Sequence, residues 1–228
     1  MPRVIKEEDY AARCNEILDV AQKLVYTKGY NQMSIQDILD DLKISKGAFY
    51  HYFDSKQALL DGLVERMLFE ADRVMSPILE AQDLSALEKL RQYFNAGTRW
   101  KKDQKPFLIN LMRVWYDDSN VLLRKRQEDA IMKYFAPKLA VIIRQGIEEG
   151  VFSTKYPDQF ADTMVGLSHG LEDKIIGLLL VDHPPPDALE HLESIVGAYY
   201  ESLERILGAP PGSLWVGTMD VLREWLEA

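Results

Sequence analysis

Apolar residues recur along this chain at three- and four-residue spacing, and no stretch competes with the period of two that a strand requires. The pattern predicts an all-α protein. A first helix covers about Tyr10 to Lys28, with Ile17, Val20, Ala21, Leu24 and Val25 on its apolar stripe and Gly29 as its stop. Ser34 is an N-cap with Asp37 in the first turn, and Ile35, Ile38, Leu39 and Leu42 follow at helical spacing. After the turn Leu42-Lys43-Ile44, Ser45 caps the short run Lys46 to Phe53, in which Phe49 and Phe53 share one side. Asp54-Ser55 caps a long amphipathic helix to about Ala81, carrying Leu59, Leu60, Leu63, Met67 and Val74. Pro77 is expected to kink or end it.

The remainder reads as a helical body. Ser85 caps a helix bearing Leu87, Leu90, Phe94 and Trp100, and Pro106 opens a second. A third spans Val121 to Glu149, with an interruption expected before Pro137, and Gly150 ends it. Pro157 opens a fourth through Leu180, Pro184-Pro185-Pro186 stiffens a loop, and Asp187 caps a fifth reaching about Leu207. Gly208 to Gly212 sets apart a last amphipathic helix, Ser213 to Leu226.

Around the short run the pattern becomes chemical. Ile35, Ile38, Leu42, Ile44, Phe49 and Phe53 close a small core behind a second helix whose Lys46, Gly47, Tyr50 and His51 face outward. This is a helix-turn-helix layout, in which the second helix enters a major groove. The run Ser45-Lys46-Gly47-Ala48-Phe49-Tyr50-His51-Tyr52-Phe53, then Lys56 and Leu59-Leu60, resembles the DNA-binding domain of TetR/AcrR-type transcriptional regulators. The match reaches back through Gly29-Tyr30 and covers roughly the first sixty residues. Two positions depart from the family pattern. Leu39 stands where a small alanine is common, and Lys43 where the turn usually has glycine; a positive φ at Lys43 would cost on the order of 1 kcal/mol. The resemblance implies residues 1–58 as a helix-turn-helix domain and 59–228 as a helical effector-binding and dimerisation domain.

Charge sharpens this picture. The net charge is −9, and the acidity lies mainly after residue 60: the first sixty residues hold 8 basic and 9 acidic side chains, the rest 19 and 27. A near-neutral DNA reader must rely on a few placed cations and on two copies acting together. The candidate DNA contacts are Ser34, Ser45, Lys46, Gly47, Ala48, Tyr50, His51 and Lys56. Lys46 suits guanine acceptors or phosphate, Tyr50 suits phosphate or a thymine methyl, and Gly47 lets the helix come close. His51 suits backbone at the far end of the helix, and Lys56 a phosphate clamp. Tyr52 is open between packing behind the helix and facing DNA. Arg3 and Lys6 in the charged arm can reach phosphate or a minor groove.

In the body, the resemblance implies a small-molecule pocket and a dimer of two long helices. Aromatic and polar candidates for the pocket are Phe94, Trp100, Phe107, Met112, Arg113, Trp115, Tyr116, His169 and Glu172. The stripe Leu189, Leu192, Val196, Tyr199, Leu203 and Ile206 suits packing against a second copy, with docking on its own domain as the alternative. Gly166, Ser168 and Gly170 would allow close approach. The implied partners are double-stranded operator DNA, a small-molecule effector and a second copy of the chain, with no cofactor.

Other classes lack their signatures. Cys14 is the only cysteine, so one chain has neither a disulfide nor a cysteine zinc site; it reads as a small buried hydrophobe on the first helix. Met1 to Tyr10 has no signal-peptide character, and Ile175–Val181, the longest apolar stretch, is too short to span a bilayer, so a cytoplasmic protein is expected. His169 with Glu172, and His183 or His191 near acids, are the only enzyme-like hints. No phosphate loop, Gly-x-Ser-x-Gly elbow or paired Glu-x-x-His motif accompanies them. The sequence reading is a dimeric, ligand-released repressor; the alternative is a helix-turn-helix used architecturally or for protein contacts without an effector.

Overall fold

The computed structural model describes residues 7–117, 120–181, 183–215 and 219–226. Among these the chain forms ten α-helices and no strand. They are α1 (Glu7–Lys28), α2 (Ile35–Leu42), α3 (Lys46–Tyr50), α4 (Lys56–Glu80), α5 (Ala86–Asp103), α6 (Lys105–Trp115), α7 (Val121–Glu148), α8 (Pro157–Leu179), α9 (Ala188–Leu207) and α10 (Met219–Leu226). No helix among the described residues is long and apolar enough to cross a membrane.

The chain divides into two compact units. The first comprises residues up to Phe69 together with Pro106–Asn120, and the second Glu70–Lys105 with Val121 onward. The first unit therefore reaches beyond residue 58 and takes α6 with it. Its buried side chains include Ile17, Ala21 and Val25 of α1, Ile38 and Leu39 of α2, Phe49 of α3, and Leu59, Leu60 and Leu63 of α4. Gly62 is where α4 passes closest: a Cβ there would stand 3.0 Å from the ring of Phe53 and 3.3 Å from Leu18. Arg66 fastens the same helix to α1, donating to Asp19 at 2.6 Å, to the Leu18 carbonyl at 3.0 Å, and to Gln22.

The second unit is a helical layer around Leu90, Ile142, Ile143, Met164, Leu192, Leu203 and Leu207. α7 packs most extensively on α8 and also on α5, while α9 lies on α8. Ser85 and Glu88 form a capping box that opens α5, with Glu88 reaching back to the Ser85 N–H at 3.0 Å. Buried Lys89 donates to the Leu79 carbonyl at 3.0 Å, satisfying one of the open acceptors at the end of α4.

Several expectations are revised. Pro77 and Pro137 both sit inside continuous helices. Apolar packing on either side, from Ala71 and Met75 in α4 and from Ala136, Leu139 and Ala140 in α7, outweighs the lost backbone bond and the ring clash. Asp187 occupies the N-cap of α9 but makes no side-chain cap, since its backbone is turned to φ −95°, ψ 10°. Ser213 to Trp215 lie outside the last helix, because Gly212 and Leu214 give their N–H groups to a buried carboxylate instead, at 2.7 and 2.8 Å from Glu204.

Candidate nucleic-acid interface

The interface is built by caps. Ser34 and Asp37 form a full capping box: the Asp37 N–H reaches Ser34 Oγ at 3.2 Å and the Ser34 N–H reaches the Asp37 carboxylate at 2.8 Å. Lys28 adds an ion pair to Asp37 at 2.7 Å. The Lys28 and Ser34 hydrogen bonds hold the Asp37 carboxyl well below the usual carboxylate range. The turn out of α2 uses Lys43 at φ 52°, ψ 43°, with its N–H closing on the Leu39 carbonyl. The turn thus has the left-handed geometry that glycine ordinarily supplies, and Lys43 accepts it at a strain cost of about 1 kcal/mol.

Ser45 then caps α3, accepting the Ala48 N–H at 3.2 Å. α3 itself spans only five residues, with His51 as its C-cap. Its inner side is fixed by Phe49, fully buried, and by Phe53, whose ring centroid lies 6.1 Å away. The outer side presents Ser45, Lys46, Gly47, Tyr50 and His51 as exposed residues, with Ser34 exposed on the preceding cap and Ala48 half-buried. Tyr52 is half-buried and packs on α1, its ring 4.9 Å from that of Tyr10. Tyr10 also meets His51 edge-on at 5.9 Å, so α1 braces the end of the recognition helix. Sequence reasoning used Tyr10 only as the start of the first helix, seven residues before Ile17 opens the apolar stripe.

Two observations on this face bear on chemistry. A Cβ at Gly47 would meet nothing nearer than Ser45 Oγ at 4.0 Å, so neither packing nor backbone geometry requires a glycine there. The second is electrostatic. In the first unit Arg13 pairs with Glu16, Lys23 with Asp41, Lys28 with Asp37 and Arg66 with Asp19. Lys43, Lys46 and Lys56, which surround α3, have no carboxylate partner among the described residues. The near-zero charge of this region therefore conceals a face of uncompensated cations. Arg3 and Lys6 lie outside the described residues.

Lys56 is more engaged than its exposed counterparts. Its Nζ stands 4.4 Å over the ring of Tyr30 and donates to the Asn31 carbonyl at 3.4 Å. Burial lowers its pKa, and the Asp37 charge opposes that shift.

The effector candidates fall into two sets. Phe107, Met112, Arg113, Trp115 and Tyr116 belong to the first unit, while Phe94, Trp100, His169 and Glu172 belong to the second. Arg113 is exposed, whereas Phe107 and Trp115 are buried, with the indole Nε1 of Trp115 unpartnered. In the second unit Phe94 meets Tyr200 edge-on at 6.2 Å, and Tyr200 in turn meets Trp215 at 5.6 Å. His169 Nε2 and the Tyr93 hydroxyl are buried there without hydrogen-bond partners. Glu172 is ion-paired to Lys101. Tyr93, Tyr200 and Trp215 escaped the sequence reading; the Tyr199-Tyr200 pair was its only signal. Along α9, Leu192, Val196 and Leu203 point into the second unit's own core, Leu189 and Ile206 are half-buried, and Tyr199 shares a 2.7 Å hydrogen bond with Ser168 of α8. That bond and burial act oppositely on the Tyr199 phenol; burial dominates and pushes it up to about 12. Among the described residues no group of three or more His, Cys, Asp and Glu could hold a metal.

Comparison with known proteins agrees with this geometry. Residues 17–63 match the model of bacterial regulatory proteins of the tetR family, and residues 113–176 match a tetracyclin repressor-like C-terminal domain. The regulator YuxN of Bacillus subtilis is 59% identical over 44 residues, 19% of this chain and 15% of that protein. EthR of Mycolicibacterium smegmatis, a transcriptional regulator, is 29% identical over 129 residues, 49% of this chain and 59% of its own. The chain thus aligns with less than two thirds of either relative's length. A solved TetR-family regulator from Pectobacterium atrosepticum superposes with a TM-score of 0.65 at 18% identity, covering 90% of this chain and all of the other. A transcriptional regulator from Cytophaga hutchinsonii gives 0.60 at 18% identity, over 86% of this chain and 99% of its own. With both its head and part of its body matching, the chain belongs to the TetR family of transcriptional regulators.

Proposed function

We propose that this protein is a sequence-specific DNA-binding repressor that acts as a homodimer and leaves its operator when a small molecule binds its body. The carrying observation is the face around α3, where Lys43, Lys46 and Lys56 lack carboxylate partners among the described residues while Arg13, Lys23, Lys28 and Arg66 are paired. Uncompensated cations beside a bare Gly47 suit a phosphate backbone drawn close. Ser34, Ser45, Lys46, Tyr50, His51 and Lys56 are the proposed contacts, with Ala48 lying against the same groove.

For the dimer, the outward faces of α8 and α9 are the proposed surface. Gly166, Gly170 and Gly177 recur on one side of α8 with open space where a Cβ would stand, as does Gly197 on α9. Two helices carrying such positions can approach another pair closely. The inward residues Leu192, Val196 and Leu203 would then support that face from behind. For the effector, the aromatic group of Phe94, Trp100, Tyr200 and Trp215, with the buried His169 and Tyr93 polar atoms, is the preferred lining in the second unit. A ligand acts by preferring the spacing of the two heads that DNA does not accept, which must differ from the roughly 34 Å repeat of a helical turn.

The test is fluorescence anisotropy with duplex DNA from upstream of the protein's own gene and with duplexes selected from a randomised pool. Wild type should bind with a marked salt dependence, and Lys46→Ala and Tyr50→Ala should weaken it while remaining folded. Binding that is insensitive to both changes would defeat the assigned interface. Thermal shift across a panel of small molecules, followed by release of bound DNA, checks the effector.

A further inference from the structure

We propose that Tyr30 is the positioning residue of the DNA contact: it holds the Lys56 ammonium where the phosphate backbone arrives. The inference rests on the reading of Lys56 as a phosphate contact and adds a residue outside the helix-turn-helix to that machinery.

Tyr30 lies between α1 and α2, far in sequence from Lys56, yet it grips that one residue at both ends. Its hydroxyl donates to the Lys56 backbone carbonyl at 3.2 Å, and its ring lies 4.4 Å beneath the Lys56 Nζ. The Asn31 carbonyl accepts from the same Nζ at 3.4 Å. Lys56 begins α4, where Ser55 caps the helix by accepting the Ala58 N–H at 3.0 Å. The ammonium is therefore fixed at a helix N-terminus, where an anion is already favoured.

The arrangement differs from an ion pair in a way that matters. A carboxylate partner would fix the lysine but cancel its charge towards DNA. An aromatic face and one neutral carbonyl fix it while the charge stays unspent, and ammonium N–H capacity remains for a phosphate. A free lysine must lose its rotamer freedom on binding; one already held loses less. Lys46 shows the contrast, since its Nζ sits 5.9 Å from the exposed ring of Tyr50, a neighbour on its own short helix.

The experiment is a double-mutant cycle in the full chain, using a duplex that wild type selects from a randomised pool. Wild type, Tyr30→Leu, Lys56→Gln and the double variant are titrated by anisotropy between about 50 and 200 mM salt, with Tyr30→Phe as the conservative replacement. Circular dichroism melts keep each variant's folded fraction in view. Lys56→Gln should flatten the log–log salt slope by about one ion. Tyr30→Leu should weaken binding about fivefold with Lys56 present and less than about twofold in the Lys56→Gln background. Tyr30→Phe, which keeps the ring, should stay within about twofold of wild type. Equal losses in both backgrounds would reduce Tyr30 to packing and overturn the proposal. So would a salt slope that Lys56→Gln leaves unchanged. If wild type selects no duplex at all, the DNA-binding reading falls first and the positioning role falls with it.

Discussion

The two units handle polar side chains in opposite ways. Around α3 of the first unit, Lys43, Lys46 and His51 stay exposed, and Lys43, Lys46 and Lys56 carry no carboxylate partner among the described residues. In the second unit, two carboxylates turn inward and are satisfied. Glu204 is buried and accepts two backbone N–H groups. Asp72 of α4 pairs with Lys138 of α7 and also accepts from Ser76 at 2.5 Å and from Tyr134 at 3.2 Å. The lesson concerns where free energy is kept. A polar group satisfied inside its own chain holds that chain together, whereas one left unpaired on the surface remains available to a partner.

Substitutions that strike one side of this contrast should leave the other intact. The largest effect is expected from Gly47→Leu. Helix propensity improves and a Cβ at this position meets nothing nearer than Ser45 Oγ at 4.0 Å, so the thermal midpoint should hold or rise, while operator affinity falls by about a hundredfold or more through steric exclusion. Anisotropy and calorimetry on the same sample read both quantities, and retained affinity would remove Gly47 from the interface.

Next comes Glu204→Ala, which strands the N–H groups of Gly212 and Leu214 and should cost about 3 kcal/mol in urea unfolding without altering DNA affinity of the folded protein. Asp72→Ala should cost about 2 kcal/mol by leaving Lys138 without its counter-charge, and a paired Asp72→Leu, Lys138→Met variant should recover most of that loss. An unchanged midpoint in the single variant would mean that the pair holds nothing.

The same carboxylate sets a pH dependence. Burial pushes the Asp72 pKa up, but hydrogen bonds from Lys138 and Ser76 pull it further down, and the net shift is downward. A depressed folded-state pKa stabilises the protein above the unfolded value, near 3.9, and that contribution is lost as pH falls through the folded value. Asp37, also depressed, acts in the same direction. Stability should therefore be level from neutral pH down to about 5 and fall below about 4, and the fall should be shallower in Asp72→Asn. The smallest change is Lys43→Gly, expected to stabilise by about 1 kcal/mol through relief of the left-handed backbone. It should also reduce the salt slope of DNA binding if Lys43 meets phosphate, which separates its two roles.

The recognition region was legible because its signals are local. Ser34 with Asp37, Ser45 with Ala48, and the Phe49–Phe53 spacing each act within one helical turn, so a short window contains both partners. The strain at Lys43 was legible for the same reason, as a non-glycine residue at a turn expected to need a positive φ. The errors lie where distant residues decide. Pro77 read as a kink or an end and Pro137 as an interruption, yet neighbouring buried residues carry both helices on past them. For the α9 stripe, read as a dimer face with docking on its own domain as the alternative, it is the packing of distant helices that buries Leu192, Val196 and Leu203 in the second unit.

The sequence alone determined the helical class, most helix limits and the outward residues of α3, since periodicity and caps are short-range properties of the chain. Only the tertiary structure decided which cations are neutralised. Lys23 meets Asp41 across eighteen positions and Arg66 meets Asp19 across forty-seven. It also decided that Tyr30 lies beneath Lys56 and that Glu204 faces inward. Charge compensation and burial depend on distances between helices, and those are set by how the apolar faces pack.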